Sequence, residues 1–170
     1  MTTDWMSSAR LRLVPLMVAD ADEMVGVLSG AALYAFTGGA PPGLDELRAR
    51  YAWQVAGRSP DGREEWRNWV LRLGPGGQAV GYVQATITGE EQCAEIAWVI
   101  GLEWQGRGYA TEAARELVAW LDSRGVRVIR AHIHPGHAAS AAVARRAGLA
   151  PTGLMEDGEQ LWLRGAPAPR

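Results

Sequence analysis

The amino-acid sequence predicts an α+β fold: one mixed, mostly antiparallel central sheet of about seven strands, flanked by about four helices. Three observations predict it. Segments with strand alternation follow one another between residues 66 and 100, as in a meander. A strand, an amphipathic helix and another strand occupy residues 94–134, which argues for one parallel pair inside that sheet. An Asp157-Gly158 pair near the end joins two short strand-like segments as a hairpin.

The elements can be justified in order. Residues 10–16 alternate as a first strand. Asp20 followed by Glu23 reads as a helix start with a capping-box partner, the helix running on to Ser29. Two prolines mark residues 38–43 as a loop, residues 45–55 as a second helix follow, and residues 57–62 form another loop. Residues 66–73 read as a strand, Gly74-Pro75-Gly76-Gly77 as a turn, and residues 79–88 and 94–100 as the next two strands. Ala110, Ala113, Ala114, Leu117, Val118 and Leu121 share one helical face, and Gly125 ends that helix. Residues 126–134 form a strand, and residues 138–147 a small-residue helix ended by Gly148. The Pro-rich tail from Gly165 reads as loose. With no repeat and no linker, the 170 residues are expected to form a single domain with its core at residues 10–164.

Composition narrows the function. A net charge of −2 argues against a nucleic-acid binder and suits a cationic small molecule or a basic peptide end. No run approaches the roughly 20 apolar residues of a membrane span. The first ten residues lack an apolar signal core, so a cytoplasmic protein without a membrane partner is expected. All seventeen basic residues are arginines. The absence of lysine removes the Walker-type phosphate loop and Schiff-base chemistry. The single Cys93 can form neither an internal disulfide nor a cysteine-based zinc site, and it reads as a small core residue.

The most informative stretch runs from Val99 to Ala113. An apolar strand ends in a turn with Gly106 and Gly108, and a helix starts at once. Such a junction points several unpaired N–H groups and the positive end of a helix dipole in one direction, which makes an anion site. A dinucleotide fingerprint fits poorly: Thr111 stands where the third Gly or Ala belongs, and no acidic residue ends the next strand.

Gln105-Gly106-Arg107-Gly108-Tyr109-Ala110 resembles the acyl-CoA pyrophosphate motif of the GNAT N-acetyltransferase superfamily, Gln/Arg-x-x-Gly-x-Gly/Ala. The likeness extends to Arg10-Leu11-Arg12-Leu13-Val14-Pro15-Leu16 as a first strand and to the segment from His134 through Leu149 as a last helix unit. The chain looks most like the branch of ribosomal-protein N-terminal acetyltransferases and their small-amine relatives. The resemblance implies acetyl-CoA as cosubstrate, with no metal. It implies an acceptor that is a small-molecule amine or a peptide N-terminus, and attack on the thioester in a ternary complex. A homodimer is left open. It places residues 105–110 on the pyrophosphate and Trp98, Val99 and Ile100 along the pantetheine arm. Arg107 is either a phosphate partner or a solvated side chain.

An alkylammonium with a pKa near about 10 must lose a proton before it attacks, so a carboxylate base is expected. Glu95, on the strand that leads into the loop, is the candidate, with an ordinary solvent-facing residue as the alternative; Glu103 is a weaker one. Many family members carry a Tyr in a Tyr-x-x-x-Gly-Phe pattern, but here the segment reads Ala144-Arg145-Arg146-Ala147-Gly148-Leu149. Ser140 is the remaining hydroxyl, a cofactor contact first and an acid second. His137 stands where the branch has Asn and can still donate to pantetheine. The missing Tyr keeps a second reading open, a non-catalytic acyl-CoA-binding module. The remaining motifs have bland readings beside functional ones. His132, His134 and His137 lack a fourth metal ligand. Arg145 and Arg146 suit a helix end or a CoA phosphate. Trp98 and Trp120 read as core, and Trp53, Trp66 and Trp69 as wall of an amine pocket or as cover for the sheet.

Overall fold

The computed structural model describes residues 4–89 and 92–165. One sheet holds every strand in it, in the order β1-β2-β3-β4-β5-β6-β8-β7. The strands are β1 (Met6–Ser7), β2 (Leu11–Pro15), β3 (Glu64–Leu73), β4 (Ala79–Thr88), β5 (Cys93–Ile100), β6 (Val128–Ile133), β7 (Ala150–Glu156) and β8 (Glu159–Arg164). The helices are α1 (Ala21–Val27), α2 (Leu44–Gln54), α3 (Tyr109–Ser123) and α4 (Ala138–Arg146). The eighth strand, beyond the seven expected, is the two-residue β1, which pairs antiparallel with β2. It is only two residues long, pairing with residues seven and five positions further on, too short for any alternation to announce it.

All neighbouring pairs are antiparallel except β5 and β6, which run parallel across α3. The hairpin β7–β8 turns at Asp157 (φ 49°) and Gly158 (φ 83°). Two successive left-handed residues give the turn whose twist matches that of the strands.

Alternation splits the side chains between two faces. Leu11, Leu13, Trp69, Leu71, Ile96 and Ile129 join α3 and α4 in the larger core. Val70, Ala79 and, half-buried, Tyr82 and Val99 join α1 and α2 in the smaller one. Helix α3 fits its side well: Ala113, Ala114, Leu117 and Leu121 are wholly buried along its stripe.

Two expectations change, and a third resolves. Asp20 and Glu23 do not form a capping box. Asp20 Oδ2 accepts from Met17 N–H (2.8 Å) across the preceding short 3₁₀ turn, and both carboxylates bind Arg72 of β3. The burial of Asp20 makes a cation a better partner than a helix end. Strand β6 is shorter than residues 126–134, because the chain from Gly125 still turns back from α3. Trp69 covers the sheet, its side chain packed in the α3 core, and it also borders the cavities of the α1–α2 face. It is 1% exposed, meets Trp120 edge-on at 4.9 Å and donates Nε1–H to Asp4 C=O. The tail at residues 166–170 lies outside the described residues. No helix among the described residues is long and apolar enough to cross a membrane.

Candidate active site

Strands β5 and β6 begin side by side and then part. Their pairing covers Cys93↔Val128, Ala94↔Ile129 and Glu95↔Arg130 and stops there, although β5 continues to Ile100 and β6 to Ile133. A gap therefore opens in the middle of the sheet. Gly101 N–H donates to Val80 C=O on β4. By alternation Val99 and Ala97 also turn their main chains to β4, and Trp98 and Ile100 turn theirs into the gap. The half-buried Trp98 side chain packs on the α3–α4 side, as expected of a core residue.

The gap runs onto the glycine loop before α3. A short 3₁₀ turn, Leu102–Trp104, carries the chain out of β5, and Gln105 Nε2 donates back to Ile100 C=O (2.9 Å). Gly106 (φ 76°) and Gly108 (φ 84°) both adopt the left-handed conformation that only glycine takes without strain. Gly108 is also the N-cap of α3. The N–H groups of residues 106–111 donate to no protein atom among the described residues. Arg107 is braced on Glu103 C=O (3.1 Å), and Arg10 donates to Arg107 C=O (2.9 Å).

Glu112, in the first turn of α3, holds this start in place. It accepts from Ser8 Oγ–H, Arg10 N–H and the Arg10 guanidinium, which also lies over the Tyr109 ring. Burial opposes its charge, but these donors prevail and hold its carboxyl below the usual range. Neighbouring donors satisfy Glu112 and bind the turn between β1 and β2 to α3.

On the other wall of the gap, helix α4 starts at His137. Its Nδ1 accepts from Ser140 N–H (3.4 Å), the cap that an Asn would form. Burial, with His134 beside it, pushes the His137 imidazole below its ordinary pKa. The ring is therefore neutral at pH 7, with its proton on Nε2. Phe36, from the α1–α2 connection, stacks on His137 (4.4 Å between centroids) and leans on His134 (5.2 Å). Nothing in the sequence around Phe36 links it to a residue a hundred positions on.

Glu95 lies at the root of the gap, on the α1–α2 face, and it is not an isolated strand residue. Glu95 Oε1 meets His132 Nδ1 at 2.9 Å, and His132 Nε2 meets Glu156 Oε2 at 2.7 Å. Arg130 Nε lies 3.3 Å from Glu95 Oε2 as an ion pair without hydrogen-bond alignment. With a carboxylate at each ring nitrogen, both nitrogens must carry protons for both contacts to attract. Burial opposes that charge, but the bonds to Glu156 and Glu95 outweigh it and raise the His132 pKa. Sequence reasoning missed Glu156; the only signal for it was the alternation of the final hairpin. Among the described residues no cluster can hold a metal. His132 is taken up by the two carboxylates, and His134 Nδ1 accepts from Gly136 N–H.

Two further sequence candidates are placed as follows. Cys93 is buried in β5. Arg145 lies over the Trp162 ring at 5.1 Å.

The acetyltransferase (GNAT) domain model matches residues 10–150 of the chain. This chain belongs to the GNAT acetyltransferase family. With it comes the family's enzyme class, acetyl-CoA-dependent acyl transfer. Solved structures match over nearly the whole chain. A ribosomal L7/L12 alpha-N-protein acetyltransferase, RimL, in complex with coenzyme A is 18% identical, covers 98% of this chain and 100% of its own, and has a TM-score of 0.82. A GNAT-family acetyltransferase from Bacillus anthracis is 17% identical, with 94% and 97% covered and a TM-score of 0.75. A spermidine N-acetyltransferase chimera from Vibrio cholerae and hSSAT is 17% identical, with 91% and 95% covered and a TM-score of 0.74. At such identities the likeness is one of fold. No curated protein sequence matches the chain.

Proposed function

We propose that this GNAT protein, acting as a single domain, moves an acetyl group from acetyl-CoA to a primary amine of a small molecule or a peptide N-terminus. The observation that carries the reading is the parting of β5 and β6 where β5 leads into the free N–H groups of residues 106–111. One long ligand with a diphosphate at one end and an amide-bearing arm fits that path. Residues 105–110 hold the pyrophosphate. The main chains of Trp98 and Ile100 hold the arm by hydrogen bonds, and Val99 supports it through the β4 pairing. His137 donates Nε2–H from the opposite wall, and the half-buried Ser140 lies one turn into α4 beside it. Bound acetyl-CoA supplies the activated thioester carbonyl.

Glu95 is the base of this reading. Its carboxylate lies on the face from which an amine reaches the gap, and it accepts the ammonium proton directly or through water. Trp98 N–H, aimed into the gap, polarises the carbonyl oxygen during attack. Ser140 O–H or water returns a proton to the leaving thiolate.

One observation favours the non-catalytic alternative: both Glu95 oxygens already face cations, His132 and Arg130. Thiol release from acetyl-CoA over a panel of amines, run beside a thermal-shift titration with CoA, separates the two. Binding without release under every amine supports the module.

A further inference from the structure

The α1–α2 face holds a small, partly enclosed cavity that opens to solvent between α2 and the sheet. Its apolar wall is Leu16, Leu28 and Leu47, joined by the rings of Tyr51 and Tyr82. Its other lining groups include Arg50, Gln54 and Asn68. The register fixes how this cavity lies relative to the gap. Tyr82 pairs with Val99, and Asn68 pairs with Gln84, which pairs with Ala97. These side chains share one face, opposite to that of Ala85 and Ile96. The cavity therefore opens one to two strands, roughly 5–10 Å, from the main chain that lines the gap. That is the reach between a reacting amine and the substituent on the carbon that bears it.

The chemistry of the lining is selective. It contains no carboxylate. Asp4, in the adjoining cleft, is paired with Arg67 at 2.7 Å. The hydroxyls of Tyr51 and Tyr82 and the side-chain amides of Gln54 and Asn68 have no hydrogen-bond partner among the described residues. Burial raises the pKa of both phenols, so both stay neutral. Arg50 is the one charged group of the cavity, and it leans on Glu46 of its own helix at 3.2 Å. An apolar wall, four neutral polar groups without partners and one guanidinium disfavour a second ammonium by desolvation and by charge. They favour an apolar or aromatic side chain next to a carbonyl.

Resting on the acetyltransferase reading above, we propose that the acceptor is an α-amino carbonyl compound with an uncharged, apolar or aromatic side chain, which lies at the mouth of this cavity against its lining. Its carbonyl accepts from Asn68 or Arg50, and its amine is left at the gap. Free amino-acid derivatives and peptide ends share this chemistry. Polyamines and aminoglycosides do not.

The test uses the full chain with acetyl-CoA and measures thiol release for leucinamide, phenylalaninamide, a Leu-led hexapeptide, lysinamide, spermidine and kanamycin. Binding of each amine in the presence of CoA is measured by calorimetry in parallel. Leucinamide and phenylalaninamide are expected to surpass lysinamide and spermidine at least tenfold in kcat/KM or affinity. Retention of the preference with the hexapeptide identifies a peptide end, and its loss there identifies a free small molecule. Tyr51→Phe and Asn68→Ala are expected to raise the acceptor KM severalfold and leave the acetyl-CoA KM unchanged. Gln54→Glu places a carboxylate in the lining and is expected to shift preference toward lysinamide. Equal or better use of spermidine or kanamycin, no preferential binding of any apolar amide, or an unshifted preference in Gln54→Glu overturns the proposal. Failure of CoA itself to bind overturns the acetyltransferase reading instead.

Discussion

Glu95 is where the chemistry of this protein is most exposed to test. Its carboxylate has His132 and Arg130 on its two oxygens, yet it faces the side from which an amine would come. Glu95→Gln keeps the size and removes the proton acceptor. The turnover rate should fall by about 10² or more with little change in acetyl-CoA affinity, as steady-state kinetics with CoA titration would show. A rate within twofold of wild type would leave the proton to bulk water. His132 makes a separate prediction. Its folded pKa is raised above the ordinary value of 6.5. The stabilisation from its charged form is therefore complete below the unfolded pKa and fades as pH rises through the higher folded one. His132→Gln should lower Tm more at pH 6 than at pH 9, and a difference independent of pH would mean that the two carboxylates do not hold an imidazolium. The position of Glu95 on a strand was legible in the sequence from alternation. Its partners were not, since His132 and Glu156 lie 37 and 61 positions away.

At the scale of elements, the junction of β5 with α3 depends on two things that act separately. The first is the backbone of the loop. Gly108→Val puts a β-branched residue at φ 84°, with its Cβ 3.3 Å from Arg10 Nη2. The protein should stay folded by circular dichroism, because neither Gly106 nor Gly108 contributes to the core, but the thermal shift produced by CoA should vanish. A shift of unchanged size would remove the phosphate role from this loop. The second is the anchor of α3. Glu112→Gln weakens the charge-assisted bonds to Arg10 and should cost about 1–3 kcal/mol in denaturant unfolding. Because the folded Glu112 pKa is depressed, wild-type stability from this group is present above the unfolded carboxylate value and is lost as pH falls through the folded one. The difference between wild type and Glu112→Gln should accordingly shrink toward pH 3.

For the molecule as a whole, a ligand that lies between β5 and β6 and caps α3 joins elements from both halves of the sheet. Acetyl-CoA or CoA should therefore raise Tm by an amount that grows with the logarithm of its concentration above Kd, and NADH should not. An equal response to NADH would favour the dinucleotide reading that Thr111 argues against.

The sequence by itself determined the element order, the parallel pair across α3, the final hairpin and the glycine turn that starts α3. Each depends on local information: a period of 2.0 or 3.6, a residue that must take positive φ, a helix stop. Only the tertiary structure decided which face each side chain serves. Trp66 and Trp69 are three positions apart on β3, yet Trp69 went to the α3 core and Trp66 to the opposite face, beside Trp53 of α2 at 5.7 Å. The stack of Phe36 on His137, the carboxylate–imidazole–carboxylate row at the root of the gap and the carboxylate-free cavity under α2 are likewise products of register. A shift of one residue in any of these pairings would turn the same side chains to the other face, and no local pattern encodes which of the two a long-range pairing selects.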